Sequence, residues 1–113
     1  MDERVIHLED GSTVSAKVNF GTIYYIKKFG LDKLLEKEEL TEDEELEAAA
    51  KMIHVILMSN GRTCTFEEAL VLTPLDDEEI QDVMNDFKDK LEELKKKREA
   101  RAKMKQFTAN QSM

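Results

Sequence analysis

Two histidines, one cysteine and a few adjacent acid pairs are the residues of this chain whose types could support catalysis or metal binding. His7 sits in an alternating, strand-like stretch and His54 in the most apolar helical stretch. Neither has an HExxH-like or paired Cys/His spacing around it, so no metal site or general base is assembled. His54 reads as a partly buried polar residue bonded to a neighbour, and His7 as a strand residue at the edge of the core. Cys64 precedes a helix start, where thiolates are stabilised, but no general base accompanies it. It reads as a packed thiol, and a lone cysteine excludes an intramolecular disulfide. The pairs Asp76-Asp77 and Glu78-Glu79 could serve acid/base work or hold a divalent cation. Their place at a helix start accounts for them through the helix dipole alone. The glycines at 11, 21, 30 and 61 stand apart from one another, which leaves no phosphate-cradling loop. The expectation is a chain that is not an enzyme and uses no cofactor and no metal.

The elements that would position any site follow from punctuation and periodicity. Asp10-Gly11 lies between RVIHLE and TVSAKVN, a favoured hairpin signal, and predicts a β-hairpin over about residues 4–19. Residues 21–29 (GTIYYIKKF) read as a helix with Thr22 as a possible cap, ended by Gly30, and Leu31, Leu34 and Leu35 continue its apolar stripe. Residues 36–47 hold eight acids and one lysine and read as exposed, with Thr41 capping the next helix. That helix carries Leu46, Ala49, Ala50, Ile53, Ile56 and Leu57 at helical spacing, with Met52, Val55 and Met58 on other faces. It belongs at the centre of the core.

Asn60-Gly61 supplies a left-handed C-cap, and Thr65-Phe66-Glu67-Glu68 reads as a capping box opening a short helix that ends near Thr73-Pro74. Asp76 or Asp77 starts the last helix, whose apolar positions Ile80, Met84, Phe87, Leu91 and Leu94 alternate four and three apart. The predicted fold is mainly α with an N-terminal β-hairpin, an α+β single-domain helical bundle over residues 1–94 with a long C-terminal helix. Residues 21–94 form the bundle. Residues 95–113 are expected to be a basic helix extension and then a disordered tail from Phe107.

Charge narrows the partners. The formal net charge is -8, with 41% hydrophobic and 37% charged residues, which suits helices with long solvated faces and repels phosphate backbones. Nucleic acid is therefore not the expected partner. The longest apolar run, Met52 to Met58, is broken by His54 and is too short to cross a bilayer, and the opening MDERV lacks a signal-peptide pattern, so a cytoplasmic, membrane-free protein is expected. The anomaly is at the far end. Between Asn85 and Lys105 nine Lys or Arg stand against five acids. That stretch is a solvated helix end, a docking surface for an acidic partner or neighbouring subunit, or a nucleic-acid contact, and the residues alone leave all three open.

In order, the Asp10-Gly11 hairpin, the segment FGTIYYIKKFGL, the helix AAAKMIHVILMSN, the stretch TFEEALVLTPLDDEEI and the Lys-rich C-terminal tail resemble the tail assembly chaperones of long-tailed phages and prophages. The resemblance covers nearly the whole chain. It implies a protein of the host cytoplasm, absent from the finished virion, that binds the tape-measure protein, keeps it soluble and helps recruit tail-tube subunits. It also implies a homo-oligomer and, where lysine codons slip, a longer frameshifted product, with Lys95-Lys96-Lys97 as the matching place. The partner-binding residues expected on this reading are Tyr24, Tyr25 and Phe29 on the first helix and Phe87, Leu91, Leu94, Arg98 and Arg101 on the last. Core packing is the competing role for the apolar ones. The alternative is a small acidic regulatory adaptor or antitoxin-like module whose basic end folds on an acidic partner.

Overall fold

In the computed structural model, which describes the backbone of residues 5–111 and the side chains of residues 5–100, the chain starts with two short strands. β1 (Val5–His7) and β2 (Thr13–Ser15) pair antiparallel, with Ile6 opposite Val14. The connection closes when the Gly11 N–H donates to the Leu8 carbonyl at 3.0 Å and the Leu8 N–H to the Ser12 carbonyl at 2.9 Å. Gly11 takes φ +88°, which a residue with a Cβ adopts only at a cost. Alternation puts Ile6, Leu8 and Ala16 inside. The strands are shorter than the 4–19 hairpin expected from sequence, because after Ser15 the chain turns towards the first helix, and Arg4 lies outside the described residues.

Five helices follow: α1 (Phe20–Phe29), α2 (Leu31–Leu35), α3 (Glu42–Ser59), α4 (Phe66–Leu72) and α5 (Asp77–Gln111). This is the predicted α+β architecture, mostly helical with an N-terminal hairpin and a long last helix. α1 starts one residue earlier than expected, and its cap is Asn19 rather than Thr22. Asn19 Oδ1 accepts from the Thr22 N–H at 3.2 Å while Thr22 Oγ1 accepts from the Asn19 N–H at 2.9 Å, so threonine stands at N3 of a reciprocal capping box and is fully buried. Gly30, at φ +77°, ends α1 and opens α2. Thr41 and Thr65 close the predicted boxes with Glu44 and Glu68, and Gly61 supplies the left-handed turn after α3. Asp76 caps α5, its Oδ1 accepting from the Glu78 N–H at 3.0 Å.

α3 is the centre of the molecule and touches α1, α2, α4, α5 and β2. From Met52 to Leu57 every side chain is buried, His54 included. One contiguous cluster joins these to Ile6, Leu8, Ile23, Ile26, Leu31, Leu34, Ala69, Val83, Phe87 and Leu91. Fully burying an aliphatic side chain of this size contributes about 1.5–3 kcal/mol each. Leu46, counted in the stripe by its spacing, is instead 65% exposed, because it lies in the first turns of α3, before burial begins at Ala48. On α5 the buried face is Ile80, Val83, Phe87 and Leu91, with Met84 and Leu94 half-buried at its edge.

The hairpin is tied to the helices by polar contacts. The His7 N–H donates to Glu79 Oε1 at 3.1 Å, the Glu9 N–H to the Leu72 carbonyl at 3.1 Å, and Arg62 reaches Ser12 Oγ at 2.9 Å and Asp10 Oδ2 at 3.1 Å. Lys90 Nζ donates to the Ala16 carbonyl at 2.9 Å. Beyond Leu94, α5 leaves the core and continues to Gln111, so the helix occupies residues 107–111, where the sequence predicts a disordered tail. The reason is local: no proline or glycine follows Pro74, and Lys, Arg, Ala, Met and Gln are all good helix formers. A helix of this length is about 50 Å long. It accounts for most of the 56 Å long axis of the molecule.

Candidate protein-binding surface

The α1 aromatics form a chain of rings leading inward. Tyr24 meets Tyr25 edge-on at 5.1 Å, Tyr25 stacks on Phe29 at 5.6 Å, and Phe29 stacks on His54 at 4.3 Å. Tyr24, 53% exposed, is the outer end, with Lys28 Nζ 5.6 Å from its ring centre. Tyr25 and Phe29 are half-buried against the core. His54 Nε2 lies 2.9 Å from the Cys64 carbonyl, an acceptor only, so that nitrogen carries the proton and donates it. The histidine is thus the bonded, buried residue the sequence predicts.

Of the α5 candidates, Phe87 is 1% exposed and Leu91 is likewise buried, which assigns both to the core and removes them from the accessible surface. The physical reason is that the four-three seam faces α3 and the hairpin exit rather than solvent. Leu94 is half-buried at the core edge. Arg98 is exposed, with its guanidinium carbon 5.4 Å from the centre of the Phe20 ring, a cation–π geometry. The Arg101 side chain lies outside those described.

The structure adds apolar residues that the sequence did not single out. Phe20 is 68% exposed at the first position of α1. Leu70, Val71 and Leu75 stand exposed around the α4–α5 connection, Val71 at 72% and Leu75 at 84%. Recognising Asn19 as the cap would have placed Phe20 and Tyr24 four apart on one helical stripe. No such signal exists for Val71 and Leu75, whose exposure depends on how α4 leans on α3.

Two hollows flank the point where α5 passes α1. One of about 460 Å³ is lined by Ile23, Ile26 and Leu91 with Lys27, Lys95 and Arg98, and by Asp32, Glu36 and Glu99 opposite. The other, about 350 Å³, lies between Lys17, Val18 and Asn19 and the Lys90–Lys97 stretch of α5. Neither brings a nucleophile together with a base. Among the described residues no group of three or more His, Cys, Asp or Glu side chains could hold a metal ion.

The shifted acids are structural. A side-chain bond from Ser12, then the Ser12 amide and Arg62, hold the Asp10 carboxyl below its ordinary range. The Lys37 ammonium does the same for Glu44, followed by the Thr41 amide, and the Thr65 backbone and hydroxyl do so for Glu68. Burial pushes the Cys64 thiol up, with the Glu68 charge adding to it, which makes it a poor nucleophile. No helix among the described residues is long and apolar enough to cross a membrane. No protein-family model, curated protein or solved structure matches the chain.

Proposed function

We propose that this chain is a tail assembly chaperone of a long-tailed phage or prophage. It holds the tape-measure protein in the host cytoplasm, helps recruit tail-tube subunits and is left out of the finished virion. It works by non-covalent binding and carries out no chemistry. The order of its segments supports this reading, and one structural observation carries it. Leu70, Val71 and Leu75 present exposed aliphatic side chains within six residues, edged by Glu67, Glu68, Asp76 and Asp77. An apolar patch rimmed by charge is what a holding protein needs, since it covers an apolar client helix while the rim keeps the complex hydrated.

The test is co-expression with the long helical tape-measure protein of the same genome, comparing wild type with Val71→Asp and Leu75→Asp. Both side chains are exposed, so the fold survives, unlike with Phe87→Asp, which would put a charge into the core. A client that is soluble with wild type and mostly insoluble with the double variant supports the reading. A client equally soluble, or equally aggregated, with both ends it for this form of the chain.

A further inference from the structure

The corner where α4 gives way to α5 carries more apolar surface than the core uses. Ala69 and Leu72 pack on the core, and Pro74 is buried. Leu70 and Val71 stay exposed on α4, and so does Leu75 just beyond it. Glu67, Leu70 and Val71 stand three and four apart, neighbours on one helical face. The backbone beneath them is tied down. The Glu9 N–H donates to the Leu72 carbonyl at 3.1 Å and the Leu75 N–H to Glu9 Oε2 at 3.4 Å, so the hairpin pins the connection at two points. The three side chains are therefore held in place before any partner arrives.

The charge around this corner has one sign. Residues 63–87 hold eight acids and no Lys or Arg. The bases at its edge are committed, Arg62 to Ser12 and Asp10, and His7 to Glu79. Among the described residues the exposed carboxylates of Glu67, Asp77 and Glu78 have no hydrogen-bond or ion-pair partner. The hollow between α1 and α5 differs, since Lys27, Lys95 and Arg98 share it with Asp32, Glu36 and Glu99. Charges there compensate one another within the molecule, and those of the corner do not. Backbone chemistry decides the form of what binds. The N–H groups of Leu70, Val71 and Leu72 are bonded inside α4, Thr73 donates to the Ala69 carbonyl at 3.0 Å, Pro74 has no N–H, and Leu75 donates to Glu9. An added strand finds no donor here, so the partner is one whose own backbone is already satisfied, a helix.

We propose that the α4–α5 corner docks an amphipathic protein helix whose apolar stripe is bordered by Lys or Arg. The stripe covers Leu70, Val71 and Leu75, and the bordering cations sit against Glu67, Asp77 and Glu78. The inference rests on the chaperone reading for its choice of surface and deepens it, because it names which segments of a client are held. Helices with basic edges are taken, and equally apolar helices with acidic edges are refused by like-charge repulsion.

Three synthetic peptides of about 18 residues, five helical turns, serve as probes on the full chain. One carries a Leu stripe bordered by Lys, one the same stripe bordered by Glu, and one the Lys peptide with its Leu positions scrambled. Fluorescence anisotropy at about 50 mM salt gives the Lys-bordered stripe an affinity about tenfold or more above either of the others. Val71→Asp with Leu75→Asp removes that binding. Glu67→Gln, Asp77→Asn and Glu78→Gln together bring the two striped peptides level, without placing lysines at helix starts. Circular dichroism spectra that match wild type show that the variants are folded, and amide shifts on binding centre on residues 66–79. Equal binding of the Lys- and Glu-bordered stripes to wild type overturns the proposal, as does a scrambled peptide that binds as tightly or shifts centred elsewhere. The two readings fail separately. A tape-measure protein lost from solution with Val71→Asp and Leu75→Asp, beside equal binding of both striped peptides, upholds the chaperone and removes this inference. Lys-selective binding by a chain that leaves the tape-measure protein aggregated does the reverse.

Discussion

From Asp77 to Leu94, α5 carries eight acids, two lysines and a buried stripe; from Lys95 to Lys105 it carries seven bases, one acid and, through residue 100, only exposed side chains. The backbone is one uninterrupted helix through both. What holds it differs. The first half is helical because Val83, Phe87 and Leu91 must join the core cluster around α3, and Asp76 satisfies its first amides. The second half extends a helix already nucleated, so each added residue gains a hydrogen bond without the cost of starting one. Burial specifies one half, and propensity continues the other.

Substitutions separate the two most sharply. Phe87→Ala lowers stability by about 3–5 kcal/mol, read from urea unfolding, because a large ring is removed from a packed site. Lys96→Ala changes it by less than about 0.5 kcal/mol. A similar loss for both would mean that the second half is docked on the body. Hydrogen exchange sharpens the contrast residue by residue. Amides from Val83 to Leu91 exchange only with global unfolding, and those beyond Lys95 exchange orders of magnitude faster, since nothing but the helix itself protects them.

A smaller effect is expected at the caps. Asn19→Ala and Thr65→Ala each cost on the order of 1 kcal/mol, as each removes one half of a reciprocal box. The smallest concerns pH. Asp10, Glu44 and Glu68 are held below their ordinary pKa in the fold, so the stability they lend is present at neutral pH and fades as pH falls through their folded values. The urea midpoint should drop on acidification, and Asp10→Asn should make that drop shallower. An unchanged slope would mean that the Ser12 and Arg62 contacts do not differ between folded and unfolded chains.

Much of this architecture is written locally. Thr41, Thr65 and Gly61 announce helix ends through side-chain oxygens and a left-handed φ, and those signals need no tertiary context. The all-round apolar turns from Met52 to Leu57 can only be a central helix. Asn19 escaped because Gly21, two residues later, looks like a place where a helix cannot yet have begun. Leu46 shows the limit of periodicity, which reports a stripe but not where the covering elements stop. Val83 was missed because Ile80, Val83, Phe87 and Ile80, Met84, Phe87 satisfy helical spacing equally well. Of the surface, Tyr24 and Arg98 were legible as exposed or charged residues on amphipathic helices. Phe20, Val71 and Leu75 depend on which neighbours α1 and α4 meet, a property of the assembled fold.

Cys64 sits where the α3–α4 connection closes over His54, its amide 3.5 Å from Met58 Sδ and its carbonyl held by the imidazole. As the sole thiol, raised in pKa and half-covered, it is a ready-made kinetic clock. Alkylation is slowed both by the partial cover of that connection and by the small thiolate fraction at neutral pH. Following its labelling rate with and without a bound client, on the unmodified chain, would time the motions of the central helix's exit without introducing a single foreign side chain.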